Sequence, residues 1–496
     1  MVALDLSIVN VAFPSISRSF AGVSTTTLSW VLSAYSVVFG ALLLGAGRMV
    51  DRSGRKRSFL LGLAVFTLGS AACAFAPAVG PLIAGRVVQA VGAALLMPAS
   101  LALLLGATPA TQRARAVAMW GGISALAVAT GPSLGSVLVD AGGWRWAFIV
   151  NLPVALVAAI AARRFLTESA TAGPMPDLVG VGVVTVSIAS LALGITQGSE
   201  WGWTSWRVLA AFAAALVLAP IAVGRSRRHD APAIDLDVFR SRTVALANAG
   251  TLVYALGFFA MLLGNVLFLT RVWDYSTLRA GLAITPGPLV VAALSSTTGR
   301  LAAKYGYKPV LVTGSLLFAL GEVLIIMRVH TTPAYLRDWL PSAMLVGLGV
   351  AFTFPVLSAA AVSGLPAEKF GVGGAINQTS RQLGAVLGVA LLVSILGSPA
   401  TAGAALHAFQ HVWWMSAGAG ILCAVLALGH ERVVRPRVEP LLADQGVATQ
   451  ERVDAHVRNA VIDTAAAVEP VVALAAIKPI GAVAAVEGIV ARQSDQ

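Results

Sequence analysis

Thirteen stretches of about 20 predominantly apolar residues, each closed off by a short polar loop, leave this chain few ways to fold. A helix needs about 20 such residues to cross roughly 30 Å of hydrocarbon, because only a structure that satisfies its own backbone survives there. The stretches lack the apolar/polar alternation of barrel strands, so helices are expected. Composition agrees: of 496 residues, 57% are hydrophobic and only 11% charged, unlike a soluble domain. The chain therefore reads as an all-α polytopic membrane protein.

The loops set the topology. On one side of the runs lie Arg48 to Arg57, Arg113, Arg115, Arg163, Arg164, a linker from Gly224 to Arg242, Lys304, Lys308, Lys369 and Arg432 to Arg437. That side is cytoplasmic by the positive-inside rule. The opposite loops hold isolated arginines and nearly all the tryptophans: Trp30, Trp144, Trp146, Trp201, Trp203, Trp206, Trp273, Trp339, Trp413 and Trp414. These indoles read as an outer interfacial belt. The formal charge of +12 is thus spent in loops rather than gathered on one nucleic-acid-binding face. Cys73 and Cys423 sit alone inside apolar runs, which points to neither disulfide nor metal. No phosphate-cradling glycine loop is present, so ATP is not the drive and no cofactor is expected.

The first run, Met1 to Phe13, is too short to span and ends at Pro14. It has neither the basic leader nor the cleavage site of a signal peptide, and reads as a helix whose front half precedes the assigned start. With it the spans number fourteen, an even count that places both termini in the cytoplasm. The expected organisation is a six-helix bundle at 1–166, two extra helices at 177–224, a cytoplasmic linker at 225–242, a second six-helix bundle at 243–430 and a cytoplasmic tail at 431–496. The tail is rich in alanine and valine, but Glu469, Lys478, Pro479 and Glu487 interrupt every apolar run, so it should not span.

The loop Gly47-Arg-Met-Val-Asp51-Arg52-Ser-Gly54-Arg55-Lys56-Arg57 packs five basic groups, one carboxylate and two glycines into eleven residues. It reads as a tight turn at a water interface: Gly47 permits close helix approach, Gly54 supplies a positive φ, and Asp51 caps a helix end while pairing with Arg52 or Arg55. A weaker copy, Gly299 to Lys308, has Ala303 at the aspartate position and marks an internal repeat. The first string resembles the major facilitator superfamily signature, with Met49 and Val50 as mild departures. The resemblance extends over nearly the whole chain and is nearest to the fourteen-helix drug:proton antiporter branch. Leu4-Asp5-Leu-Ser7-Ile-Val-Asn10-Val-Ala-Phe-Pro14 looks like that branch's first-helix motif, with Ser7 replacing threonine. Arg86, Gln89 and Gly92 follow the fourth-helix pattern, with Ala90 replacing a glycine. Gly131-Pro132-Ser-Leu-Gly135-Ser136 is similar to the fifth-helix antiporter motif, with Ser136 replacing its second glycine. Asn377 to Gly384 matches a thirteenth-helix string. The resemblance implies a major facilitator fold of two six-helix bundles plus two extra central helices, alternating access, and export rather than uptake. It also implies the cell membrane as the location.

Ionisable residues inside a membrane are costly and are functional candidates by default. Asp5 and Arg86 sit at depths that let them meet. Asp5 is expected to exchange the driving proton, with Arg86 setting how readily it ionises, although a static pair would also place them together. Glu322 is a second proton-coupling candidate, or else a carboxylate snorkelling toward the surface. Pro132 removes a backbone donor where Gly131 and Gly135 allow a neighbour to pack closely, which would make a pivot. Asn10, Tyr254, Phe258, Phe259, Asn377 and Arg381, with Gln382, are candidates to line a central cavity for hydrophobic or amphiphilic small molecules. The reading is a monomeric, proton-motive-force-driven exporter and not an enzyme. An uptake symporter of the same fold and a non-transporting receptor are the alternatives.

Overall fold

Residues 1–108, 113–169, 175, 177–363, 365, 370–397 and 401–430 are described by a computed structural model. The tail from 431 and Lys369 lie outside them. Every regular element among the described residues is helical. Among the described residues, twelve helices are long and apolar enough to cross a membrane. In chain order the first half contains α1 (Val2–Ser19), α2 (Thr25–Ser53), α3 (Arg55–Ala74), α4 (Val79–Ala107), α5 (Arg113–Gly142), and α6 (Trp146–Ile149) running into α7 (Asn151–Phe165). Then come α8 (Leu178–Trp201) and α9 (Trp206–Ser226), a 3-10 turn at Leu236–Arg240, and the second half. This comprises α10 (Arg242–Arg271), α11 (Thr277–Ile284), α12 (Pro286–Tyr305), α13 (Tyr307–Arg328), α14 (Leu340–Ala360), α15 (Phe370–Leu396) and α16 (Ala402–Leu428).

Helices α1 and α5 pack against each other. Helix α1 departs from the expectation that the first run ends at Pro14. It does not stop at Pro14 but continues to Ser19 with the proline inside it, so 18 residues rise about 27 Å at about 1.5 Å each. Pro14 has no N–H to give the carbonyl of Asn10. Close packing on α5 holds the helix together through that gap.

The loop at Gly54 is also tighter than expected. Helix α2 runs unbroken through Gly47 to Ser53, and Gly54 alone, at φ 98°, separates it from α3. The second copy repeats the device, with Gly306 at φ 87° between α12 and α13. A side chain at such a φ is strained, which is why glycine stands at both turns. Gly47 is a correction: a β-carbon there would meet nothing within 4 Å, so it permits no close approach.

Four tryptophans expected at the lipid interface are buried instead: Trp144, Trp273, Trp339 and Trp413. Phe268 lies within 5.1 to 6.0 Å, ring to ring, of Trp273, Trp339, Phe409 and Trp413. Two of the indole N–H groups donate inward, Trp273 to the His330 carbonyl at 2.7 Å and Trp413 to Asn265 at 2.9 Å. A buried indole with a partner is worth more than one at the surface. Trp146, Trp201, Trp203, Trp206 and Trp414 are exposed.

Helices α8 and α9 form a hairpin whose open end is tied by Asp177. Its carboxylate accepts from Gly180 N–H at 2.8 Å, capping α8, and from Arg225 Nε of α9 at 2.8 Å. The hairpin packs on α2 and α15 through Val37, Ala192 and Val386, and further along through Ala41, Val184 and Ala222.

Candidate functional site

Asp5 is fully buried on α1, and its carboxylate reaches side chains of α4 and α7. Its Oδ2 accepts from Arg86 Nη1 at 2.6 Å. Its Oδ1 accepts from Gln89 Nε2 at 3.0 Å and from Asn151 Nδ2 at 2.9 Å. Arg86 and Gln89 are three residues apart on α4, so one helix face presents both. Arg86 Nη1 also donates to Gln89 Oε1 at 2.8 Å, and Gln89 and Asn151 each donate to Ser70 Oγ on α3, at 2.6 and 3.2 Å. The Arg86 guanidinium lies 4.0 Å from the Tyr35 ring centre, and its Nε donates to the Val31 carbonyl of α2 at 3.0 Å. An uncompensated charge at this depth costs several kcal/mol. Three donors on one carboxylate, with a cation–π face behind the arginine, supply the compensation.

The sequence pointed to the Asp5–Arg86 meeting and named Gln89 as part of the fourth-helix pattern, but did not join Gln89, Asn151 or Ser70 to Asp5. Asn151 and Ser70 are common polar residues in apolar runs with no motif around them. The only available signal for Asn151 was an amide just past the Trp146–Val150 stretch, at a helix break that hydropathy does not show. Gly92 lies on the same α4 face, where a β-carbon would collide with the Phe66 backbone of α3.

The fifth-helix glycines also do what close packing needs. A β-carbon at Gly131 would collide with Ser7 of α1, and one at Gly135 would stand 3.1 Å from Ile8 Cα. Ser136, which replaces a glycine of the pattern, faces Gly281 of α11, where an added β-carbon would collide with it. The small residue has thus moved to the opposite helix. Beside it, the hydroxyls of Ser133 and Thr285 are 2.8 Å apart, and Arg18 Nη2 donates to Thr277 at 3.0 Å. These contacts join the two halves at the end away from Gly54. Between Gly54's end and the centre, the halves meet where Thr379 donates to the Gly40 carbonyl at 2.6 Å and Gln382 packs on Gly40.

Between these two closures lies a cavity of about 20 Å³, lined by Leu6, Asn10, Leu32, Ser33, Ser36, Arg86, Phe259, Ala385 and Val389. It has room for about one water. Of the cavity candidates Asn10, Tyr254, Phe258, Phe259, Asn377, Arg381 and Gln382, Asn10 and Phe259 line it and the other five do not. Phe259, one residue or about 100° of helix beyond Phe258, takes the lining position. Tyr254 and Phe258 pack against Phe354, at 5.0 and 5.2 Å. Asn377 donates to Thr251 at 2.8 Å, and Arg381 donates to Ser358 at 2.9 Å with its guanidinium 4.5 Å from the Phe354 ring centre. Glu322 does not snorkel: it is fully buried on α13, and neither carboxyl oxygen has a hydrogen-bond partner.

At the Gly54 turn the charges pair locally. Asp51 accepts from Arg55 Nε at 2.9 Å. Glu168, just past α7, accepts from the N–H groups of Lys56 and Arg57 at 3.1 and 3.0 Å, capping α3, while Lys56 Nζ donates to the carbonyls of Arg163 and Leu166 at the end of α7. Burial pushes the Glu168 carboxyl up, but the backbone donors of Arg57, Lys56 and Ser169 outweigh it and hold it below the usual range. Arg52 has interactions of its own and exposed surroundings. Sequence spacing could not pair Glu168 with a turn more than a hundred residues earlier.

A multi-pass helical bundle whose two halves meet on either side of a buried polar centre is an architecture suited to a membrane transporter. The chain belongs to the major facilitator superfamily, whose pattern matches residues 1–236 and again 247–482. It is similar to the multidrug resistance protein Stp of Mycobacterium tuberculosis, with 34% identity over 80% of this chain and 74% of that one. It is also similar to the methylenomycin A resistance protein of Streptomyces coelicolor, with 30% identity over 80% of this chain and 83% of the relative. Among solved structures, a peptide transporter in complex with sulfate superposes with a TM-score of 0.60 at 17% identity, covering 86% of this chain and 92% of that one. The xylose transporter XylE from E. coli gives 0.55 at 15%, covering 85% and 94%. These last two establish the shared fold.

Proposed function

We propose that this protein exports drugs, antibiotics or other hydrophobic small molecules across the cytoplasmic membrane in exchange for protons. The resistance relatives support the cargo and direction. One observation carries the proton coupling: Asp5 is a fully buried carboxylate compensated by Arg86, Gln89 and Asn151, next to the cavity that Arg86 also lines. Protonating Asp5 cancels the charge that holds Arg86 and leaves its Nη1 held by Gln89 alone, so the proton and the cavity wall are linked through one side chain. Proton uptake from one side and release to the other then follow the halves as they separate alternately at the Gly40–Thr379 and Gly281–Ser136 closures. The reading includes α1 and α5 as spans, which makes fourteen, with both termini in the cytoplasm, a monomeric unit, and no cofactor beyond the proton-motive force.

A drug-susceptibility panel in an efflux-deficient host tests it. Expression should raise resistance to several chemically unlike apolar drugs, and a protonophore should abolish the effect. Drug accumulation driven inward by the proton gradient would instead identify an uptake symporter. No flux in either direction would leave a receptor.

A further inference from the structure

Arg86 has five N–H donors, and the Asp5 network uses three. Nε goes to Val31, and Nη1 goes to Asp5 and Gln89. Nη2, with two donors, is buried and has no partner. The Ser33 hydroxyl, 1% exposed, is likewise buried without a partner. Both residues line the small cavity between the two closures. Buried unpaired donors are costly enough to need a reason.

The geometry points to Arg86 Nη2 and Ser33 as the recognition site for an acceptor oxygen of the transported molecule: a carboxylate, phenolate or conjugated carbonyl on an apolar frame. This rests on the transport reading and narrows its substrate class. Tyr35 covers one face of the guanidinium at 4.0 Å, so a ligand reaches Nη2 in the plane of the group, the approach a planar acceptor makes. The nearest acid, Asp5, is committed to Nη1 and leaves the N–H donors of Nη2 without a partner. Ser33 is on α2 and Arg86 on α4, and the Arg86–Val31 bond ties these two helices. The two donors therefore keep their relation when the halves part and the cavity widens, while Phe259, Ala385 and Val389 of the other half supply the apolar wall. A permanent cation with no acceptor finds like charge here.

Three matched probes test this on the purified full chain in nanodiscs: naphthoate, acetylnaphthalene and naphthyltrimethylammonium. Wild type should bind naphthoate most tightly and the ammonium least. Ser33→Ala should weaken naphthoate about tenfold, as loss of a buried hydrogen bond to a charged group does, and leave the ammonium unchanged. Ser33→Asp places a carboxylate beside Nη2 and should reverse the order of naphthoate and ammonium. Unchanged binding of the ammonium by Ser33→Ala, with an unchanged melting profile, shows that the variant is folded. Equal binding of the three probes by wild type, no naphthoate binding, or an order indifferent to both variants would overturn the inference and leave water as the cavity's occupant. Protonophore-sensitive export, measured on the same proteins in cells, reports separately on the transport reading. That reading stands if export persists while the probe order fails.

Discussion

Asn151 is the residue whose importance was least visible in the sequence and is plainest in the structure. It reaches from the start of α7 to Asp5 Oδ1 and to Ser70, and so joins a helix outside every recognised motif to the proposed proton site. Asp5 and Arg86 were legible because a charged residue in an apolar run is conspicuous, while Gln89 stood out only as part of the fourth-helix pattern. Asn151 was not legible, since an asparagine in such a run is as often a helix–helix bridge. Replacing Asn151 with alanine should leave Oδ1 with one donor and cost about 1–3 kcal/mol, seen as a lower melting temperature in detergent. It should also shift the pH dependence of drug export. Asn151→Asp, by setting a second carboxyl against the first, should shift that pH dependence further. Equal pH profiles for wild type and both variants would remove Asn151 from the site.

At the level of elements, the run lengths gave the helices and the glycines gave the turns, but partners across long sequence separations were invisible. The two clearest cases are the carboxylates that cap helix starts at the water interface. Asp177 closes the α8–α9 hairpin through Gly180 and Arg225, and Glu168 caps α3 across from α7. Burial pushes the Asp177 carboxyl up, but the Gly180 N–H and the Arg225 guanidinium outweigh it, and the group is held below the ordinary carboxylate range. A carboxyl lowered by folding contributes its stability in full above about pH 4, its unfolded value, and loses it as pH falls through the lower folded value. Asp177→Ala should therefore cost about 0.5–2 kcal/mol near neutral pH and nothing once wild type is itself protonated. Melting curves from neutral to acid pH that stayed parallel would contradict this. Proline was misleading in the same physical sense: at Pro14 the sequence rule for a helix end gave way to packing on α5.

The described residues up to 430 form a bundle closed at two places around a water-sized cavity, and the two closures are built alike, from a small residue facing a polar side chain. Gly281 faces Ser136 at one, and Gly40 faces Gln382 at the other. The helical class and internal repeat were readable from hydropathy and from the two basic turns. The closures were not, because they depend on which helix faces which, and the serine in the antiporter pattern hid a glycine supplied from α11. Gly281→Val should hold that closure apart and slow drug export by at least about tenfold without loss of expression. Full export by the variant would show that the closure is not part of the cycle. The central claim, that Asp5 exchanges the proton which drives export, is tested most directly in proteoliposomes. A drug identified by the susceptibility panel is added, and proton movement is followed with a pH-sensitive dye. Wild type should move protons on drug addition, and Asp5→Asn should bind the drug but move none. Drug-dependent proton movement by Asp5→Asn at the wild-type rate would contradict the account.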